Sequence, residues 1–358
     1  MQQLRGAGPQ RCLTDDGKQC LWRQISGRDF RRRYTGKPEK TLVSMTIAFT
    51  FPGQGSQHVG MGAELAKSYP TAARVFEEVD EALGQNLSQI MWEGPEDTLV
   101  LTENAQPALM AVSLAAMRVL EQEKGVSLAD KVSFIAGHSL GEYSALAAGG
   151  AISLADTARL LKTRGQAMQA AVPVGEGAMA ALLGAELPDA QKLAEAAAEG
   201  EVCQTANDNA PGQVVISGAR AAVERAVELA SEFGARRAVL LPVSAPFHCA
   251  LMQPAADAMA EALGKVDVKQ PAVPLVSNVL AAPITEPAEI TKRLVEQVTG
   301  MVRWRESVLH MAGEGVTVFY ELGAGRVLTG LARRIERSLE TQSVGTPEEV
   351  EAAAAALT

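Results

Sequence analysis

The pentapeptide Gly-His-Ser-Leu-Gly at residues 137–141 constrains the fold of this chain most strongly. An apolar run at 132–136 precedes it, and a segment of small helix-forming residues at 142–149 follows it. Strand, Gly-X-Ser-X-Gly and helix in this order are typical of a nucleophile elbow, whose sharp turn lifts the Ser139 hydroxyl above the sheet. Amides at the start of the helix would then face an oxyanion. An ordinary strand-to-helix connection remains the alternative, because a single Gly-X-Ser-X-Gly also arises by chance.

The composition indicates a globular, helix-rich α/β protein. Of the 358 residues, 47% are hydrophobic and only 4% aromatic, so alanine, leucine and valine must do most of the packing. The formal net charge of -9 argues against a nucleic-acid-binding surface. No stretch approaches the about 18 unbroken apolar residues of a transmembrane helix. The four cysteines show neither metal-ligand nor disulfide spacing, so we expect no metal and a reducing cytoplasm.

Residues 1–44 differ from the rest of the chain. They contain ten Lys or Arg residues against four acids, and their few apolar residues show no period. We expect a disordered extension upstream of the domain start at Met45, for example from a misassigned initiation site. An organellar transit peptide is the alternative, although the acids weigh against it.

The remaining chain alternates strand and helix patterns. A buried strand at 45–51 runs into a glycine-rich loop at 52–57, and helices are predicted at 71–83, 104–124 and 154–171, the last with Ser153 as N-cap. After the small unit described next, helices are predicted at 250–263, 288–298, 304–313 and 327–339, with strands at 275–277 and 316–322. Gly-Ala-Gly at 323–325 lacks the third glycine of a dinucleotide-binding fingerprint, so no cofactor is expected there.

Residues 175–241 have the order β-α-β-β-α-β. Strands are predicted at 178–183, 202–206, 213–217 and 237–241, helices at 188–199 and 219–233, and a turn at 207–212. This is the order of a ferredoxin-like unit. We therefore predict an α/β fold with a parallel-sheet core at 45–174 and 242–345, an inserted small subdomain at 175–241, and a C-terminal tail at 346–358.

A serine nucleophile requires a base, and the chain has four histidines. His138 adjoins Ser139, but its side chain is expected to point elsewhere. His58 and His310 fit structural roles. His248 lies in a loop between a predicted strand and a helix, where α/β sheets place their chemistry, and is the preferred base.

Two features of the site remain open at this level. No Asp or Glu stands alone at a predicted strand end between Ser139 and His248, so a dyad oriented by a backbone carbonyl is at least as plausible as a triad. Arg164, inside the predicted helix 154–171, is either a solvated surface residue or a guanidinium that grips a substrate carboxylate with two hydrogen bonds.

Six motifs, in order along the chain, resemble those of the malonyl-CoA:acyl-carrier-protein transacylases. They are residues 51–57 (FPGQGSQ), 137–143 (GHSLGEY), Arg164 within Thr-Arg-Gly, 209–218 (NAPGQVVISG), 245–248 (APFH) and 321–328 (ELGAGRVL). The resemblance spans residues 45 to about 339 and implies an α/β-hydrolase-like core with an inserted ferredoxin-like subdomain.

The resemblance also implies roles for five residues. Ser139 would accept the malonyl group, and His248 would be its general base. The backbone amides of Gln54 and Leu140 would form the oxyanion hole. Arg164 would pair with the free malonyl carboxylate.

Three further positions follow from the same resemblance. The backbone carbonyl of Gln297 would orient the histidine, with no role implied for its side chain. Phe247 resembles a bulky residue that excludes a methyl branch, and Asn209 would contact substrate.

The expected partners are malonyl-CoA and the phosphopantetheine arm of acyl carrier protein, without nucleic acid, membrane or cofactor. We expect a cytoplasmic monomer in fatty-acid synthesis. A standalone polyketide-type acyltransferase and, in another class, an acyl-CoA or ester hydrolase are the alternatives.

Overall fold

The computed structural model describes residues 46–358, so the predicted extension at 1–44 and Met45 lie outside the described residues. Strands in this part of the chain are β1 (Thr46–Phe51), β2 (Phe134–Gly137), β3 (Gly177–Leu183), β4 (Cys203–Ala210), β5 (Gln213–Ala219), β6 (Arg237–Leu240), β7 (Leu275–Ser277), β8 (Ala282–Ile284), β9 (Val316–Leu322) and β10 (Glu340–Val344).

Fifteen α-helices accompany these strands in the described part of the chain. They are α1 (Ala63–Ser68), α2 (Pro70–Leu83), α3 (Leu87–Glu93), α4 (Glu96–Leu99), α5 (Thr102–Gln122), α6 (Leu128–Lys131), α7 (Gly141–Ala148), α8 (Leu154–Ala170), α9 (Leu187–Ala198), α10 (Arg220–Leu229), α11 (Gln253–Leu263), α12 (Pro287–Thr299), α13 (Trp304–Gly313), α14 (Val327–Ile335) and α15 (Pro347–Leu357). Short 3-10 turns cover Ala230–Phe233 and Ala250–Met252.

The large sheet has the strand order β10-β9-β1-β2-β7-β8 and is parallel except for the β7–β8 pair. Its central strand β1 is buried along almost its whole length, as expected for a parallel strand covered by helices on both faces. Phe51 pairs with Gly137 at the carboxyl ends of β1 and β2. The glycine-rich loop after β1 and the elbow after β2 therefore emerge side by side.

The small sheet has the strand order β4-β5-β3-β6 and is antiparallel throughout. Helices α9 and α10 pack on it around a separate apolar core that includes Leu182, Leu193 and Val223. Together with the large sheet, this arrangement confirms the predicted α/β fold with an inserted β-α-β-β-α-β unit. The boundaries at 174/175 and 241/242 stay a prediction.

The predicted turn at 207–212 is wrong for its first four residues. Strand β4 continues to Ala210 with irregular register against β5, leaving only two residues between the strands. The amide of Asp208 donates to the Val302 carbonyl at 2.9 Å, and the Val302 amide donates to the Ala206 carbonyl at 2.9 Å. Local turn propensity does not reveal this pairing with a segment almost a hundred residues away.

The C-terminal region also differs from the expectation. The helix predicted at 327–339 ends at Ile335, and the chain turns into β10, which pairs in parallel with β9. Residues 346–358, set apart as a tail, form α15, which buries Val350, Ala353 and Leu357. Thr346 caps this helix by accepting a hydrogen bond from the Glu349 amide.

Candidate active site

The elbow at residues 137–141 is a tight turn between β2 and α7. Ser139 has a φ of 53°, in the left-handed region that side-chain-bearing residues rarely adopt. A Cβ added to Gly137 would lie 1.9 Å from the Gly141 carbonyl, and one added to Gly141 would lie 2.2 Å from the Phe51 carbonyl oxygen. Both motif glycines are therefore required by close backbone contacts.

Ser139 and His248 come together above the sheet, although 108 residues separate them in the chain. The serine Oγ lies 2.8 Å from His248 Nε2, and His248 Nδ1 lies 2.9 Å from the Gln297 carbonyl oxygen and 3.2 Å from that of Gly300. Because both groups that face Nδ1 are carbonyl oxygens, which only accept hydrogen bonds, Nδ1 must carry the ring hydrogen. Nε2 is then free to accept the serine proton. Among residues 46–358, no carboxylate takes part in orienting the ring.

The electrostatic environment keeps His248 neutral. Burial, followed by the positive charge of Arg164, lowers the pKa of the imidazole to about 3. A neutral imidazole is the form that accepts a proton.

Arg164 projects from α8 into the same space and is 1% exposed. Its Nη2 donates to Ser139 Oγ at 3.1 Å and to Gln297 Oε1 at 2.8 Å, and its Nη1 donates to Gln106 Oε1 at 2.8 Å. Burial lowers the pKa of the guanidinium from its ordinary value. No carboxylate forms a salt bridge with Arg164 within residues 46–358, and its Nε has no hydrogen-bond partner there.

The amides of Gln54 and Leu140 make no hydrogen bond within the part of the chain that the structure describes. The Gln54 loop lies against the elbow, because a Cβ on Gly53 would come 2.7 Å from the His138 carbonyl oxygen. The Gln54 side chain is held separately, its Oε1 accepting from Thr102 Oγ1 at 3.1 Å.

A cavity of about 630 Å³ opens above Ser139. Its lining includes Arg164, Phe247 and, from the small sheet, Asn209. Asn209 Oδ1 lies 2.8 Å from His138 Nε2, and burial lowers the pKa of His138. Phe247 and Asn209 therefore lie at the cavity with the other predicted site residues.

Sequence reasoning missed several polar side chains behind Ser139. Gln106 holds Arg164, while Glu142 and Asn278 are linked to the Gln297 side chain. Burial raises the pKa of Glu142 to about 8. Asn278 directly follows β7, so the rule that pointed to His248, chemistry at strand ends, would also have indicated this residue.

Within residues 46–358, no group of three or more His, Cys, Asp or Glu side chains could hold a metal ion. Cys203 and Cys249 are free and buried. None of the helices in the described part of the chain has the length and apolar character needed to cross a bilayer.

Comparison with known proteins gives the class of this chain. A family model described as acyl transferase domain matches residues 48–352. A malonyl CoA-acyl carrier protein transacylase of Bacillus subtilis (strain 168) is 48% identical over 308 residues, covering 86% of this chain and 96% of the relative.

Solved structures agree with this class. An acyl-carrier-protein-S-malonyltransferase from Bartonella henselae superposes with a TM-score of 0.86 at 59% identity, covering 87% of this chain and 99% of that one. A malonyl-transacylase in complex with a type II PKS acyl-carrier protein gives 0.84 at 42% identity, covering 87% and 99%. The chain belongs to the malonyl-CoA:acyl-carrier-protein transacylase family, which confirms the resemblance drawn from its motifs.

Proposed function

We propose that this chain transfers a malonyl group from malonyl-CoA to the phosphopantetheine thiol of acyl carrier protein, through a malonyl ester on Ser139, for fatty-acid chain elongation. One observation carries the substrate assignment. Arg164 is buried, lies 3.1 Å from the Ser139 hydroxyl and forms no direct salt bridge with a carboxylate among the described residues; Glu142 reaches it only through the Gln297 side chain. A buried cation of this kind favours a substrate that brings its own carboxylate.

The first half-reaction acylates Ser139. As Oγ attacks the thioester carbonyl of malonyl-CoA, its proton passes to His248 Nε2, 2.8 Å away. The unpaired amides of Gln54 and Leu140 stabilise the oxyanion. When the carbon–sulfur bond breaks, the CoA sulfur takes the proton from His248 and leaves as the thiol.

The second half-reaction reverses these roles. The phosphopantetheine thiol gives its proton to His248 and attacks the malonyl ester. The carbon–oxygen bond to Ser139 then breaks, and Oγ recovers the proton from Nε2. Because the incoming and departing groups are both thiols, one site serves both steps.

Selectivity follows from the cavity walls. Acetyl-CoA would leave the buried Arg164 guanidinium without a carboxylate in direct contact, whereas malonyl-CoA supplies one. Phe247 is 9% exposed at the cavity and supports the preference for malonyl over methylmalonyl that the sequence suggests. We also propose that the protein acts as a monomer, since one chain supplies Ser139, His248 and Arg164, and that it is cytoplasmic, since Cys203 and Cys249 are free thiols.

Intact-protein mass spectrometry tests this function. Wild-type protein incubated with malonyl-CoA should gain one malonyl mass, and Ser139→Ala should gain none. Addition of holo acyl carrier protein should move that mass to the carrier. Release of free malonate at the same rate without carrier would instead indicate the hydrolase alternative, and normal labelling of Ser139→Ala would contradict the proposal.

A second carrier is worth including in the same experiment. Similarity to a malonyl-transacylase complexed with a type II PKS carrier keeps the polyketide alternative open. Parallel transfer to fatty-acid and polyketide carriers compares the two. A clear preference for the fatty-acid carrier is the expected result.

A further inference from the structure

We propose that Asn278 is a positioning residue for acyl transfer: its carboxamide holds Ser139 in the left-handed conformation and directs the Ser139 amide away from the oxyanion. The inference rests on Ser139 carrying the acyl group, as proposed above. It concerns a residue that contacts neither substrate nor the serine hydroxyl.

The Asn278 carboxamide holds the elbow by two hydrogen bonds, and we call this pair of bonds the clamp. The Ser139 amide donates to Asn278 Oδ1 at 2.8 Å, and Asn278 Nδ2 donates to the Gly137 carbonyl at 2.7 Å. The two bonds therefore bind the two peptide groups that flank His138. Asn278 is fully buried, so water cannot replace either bond.

The clamp is itself held from three directions. The backbone amide of Asn278 donates to Glu142 Oε1 at 2.8 Å, and the backbone carbonyl of Asn278 accepts from the backbone amide of Arg303 at 3.0 Å. Gln297 Nε2 lies 3.3 Å from Asn278 Oδ1. Because Glu142 lies in the first turn of α7, directly after the elbow, the clamp connects the end of β7 to both flanks of Ser139.

This arrangement decides which amides remain for an oxyanion. With its N–H committed to Asn278, Ser139 cannot offer that amide, whereas the neighbouring Leu140 amide and the Gln54 amide are unpaired. The clamp also fixes the direction of Oγ toward His248 Nε2 and Arg164 Nη2. Without it, the φ of 53° has less support, and Ser139 can relax away from both partners.

The direct test is Asn278→Ala, compared with Asn104→Ala as a matched control. Asn104 is also a buried asparagine whose side chain makes several hydrogen bonds, but these go to Thr98, Gln85 and Lys162. Rapid-quench mass spectrometry gives the rate of malonyl loading and its final stoichiometry. We expect Asn278→Ala to load about 10²-fold more slowly, the effect of a displacement of about 1 Å, with an unchanged KM and one malonyl per chain at completion. The control should load at the wild-type rate even if its melting temperature falls.

Asn278→Asp adds a readout that a purely structural role would not move. Its carboxylate form accepts from Ser139 but repels the Gly137 carbonyl, whereas its protonated form restores the donor. The ratio of its loading rate to that of wild type should therefore rise as the pH falls from 8 to 6. Glu142 from α7, Arg164 from α8, His248 and Arg303 face this region in both proteins, so the wild-type rate at each pH is the reference for the variant, whose new carboxyl group titrates together with Glu142.

The outcomes separate this proposal from the proposed function. Failure of wild type to acquire malonyl would remove the function itself. A wild-type loading rate in Asn278→Ala, or a lower stoichiometry at an unchanged rate, would overturn the positioning role. If Asn278→Ala does not fold, a pH-independent rate ratio for Asn278→Asp would overturn it instead.

Discussion

The two sides of the cavity are built differently. On the large-sheet side, Ser139, His248 and Arg164 are each fixed by hydrogen bonds to buried partners. On the small-sheet side, apolar Met179 and Val215 line the cavity beside Asn207 and Asn209, and the sheet packs on a separate core.

The difference assigns separate tasks to the two sides. Reaction geometry requires positions fixed within a fraction of an ångström, and the large sheet supplies them without help from the small one. The small sheet supplies shape and one polar link across the cavity, between Asn209 and His138. Substitutions on the two sides should therefore differ in size and in the kinetic constant that they change.

The largest effect is expected for His248→Ala. Removing the base should slow malonyl loading by at least about 10⁴-fold with little change in binding, since Ser139 then lacks a proton acceptor. His58→Ala is the control, because His58 is exposed and its Nδ1 contacts only the Ser56 carbonyl. Single-turnover loading measures both, and a comparable loss in the two variants would contradict the choice of base.

Arg164→Ala should come next. Loss of the buried partner of the malonyl carboxylate should lower kcat/KM for malonyl-CoA by about 10²-fold, corresponding to about 3 kcal/mol, and reduce discrimination against acetyl-CoA. Arg159→Ala on the same helix is the control, since its Asp156 pair is largely exposed. An unchanged malonyl-to-acetyl ratio in Arg164→Ala would refute this role.

The pH dependence of loading follows from the lowered pKa of His248. A base with a pKa of about 3 stays neutral and active down to about pH 5, so wild-type loading should not fall near pH 6.5, the ordinary value for histidine. Arg164 lowers this pKa, so Arg164→Ala, assayed with acetyl-CoA, should show an acid limb at higher pH. Loss of half of the wild-type rate near pH 6.5 would contradict the neutral-histidine site.

The smallest effect is expected on the opposite wall. Asn209→Ala removes the partner of His138 Nε2 but leaves the Ser139–His248 pair intact. We expect a loss of less than about tenfold, mainly in KM, because the net contribution of one hydrogen bond is about 1 kcal/mol. Steady-state kinetics with malonyl-CoA measure it. A loss as large as that of Arg164→Ala would mean that the small sheet shares in the chemistry.

The same contrast explains what the sequence could predict. The elbow could be predicted from the sequence because close contacts at Gly137 and Gly141 require glycine within a five-residue motif. The β-α-β-β-α-β order of the small unit could be predicted because the local periodicity of apolar residues indicates each element. Both signals are short-range.

What could not be predicted depends on long-range contacts. Without the resemblance, nothing near His248 indicates that the Gln297 carbonyl holds it, and the Gln297 side chain that binds Arg164 gave no signal at all. The turn predicted at 207–212 failed because β4 stays paired with β5 as far as Ala210 and also bonds to the distant Val302. The helix predicted past Ile335 failed because β9 recruits the following residues into the sheet.

Among the described residues, His248 is held by uncharged carbonyl oxygens and not by a carboxylate, and this has a thermodynamic consequence for the whole reaction cycle. The carbonyl oxygens orient the ring but lack the full negative charge that would stabilise the protonated imidazolium. The positive charge of the nearby Arg164 guanidinium destabilises that form further. The imidazole therefore carries the proton only in passing, from one sulfur or oxygen to the next. Exchange of an acyl group between two similar thiols is nearly balanced in free energy, so such a site works in both directions. Net flow is then set by the concentrations of the two thioesters and of the two free thiols.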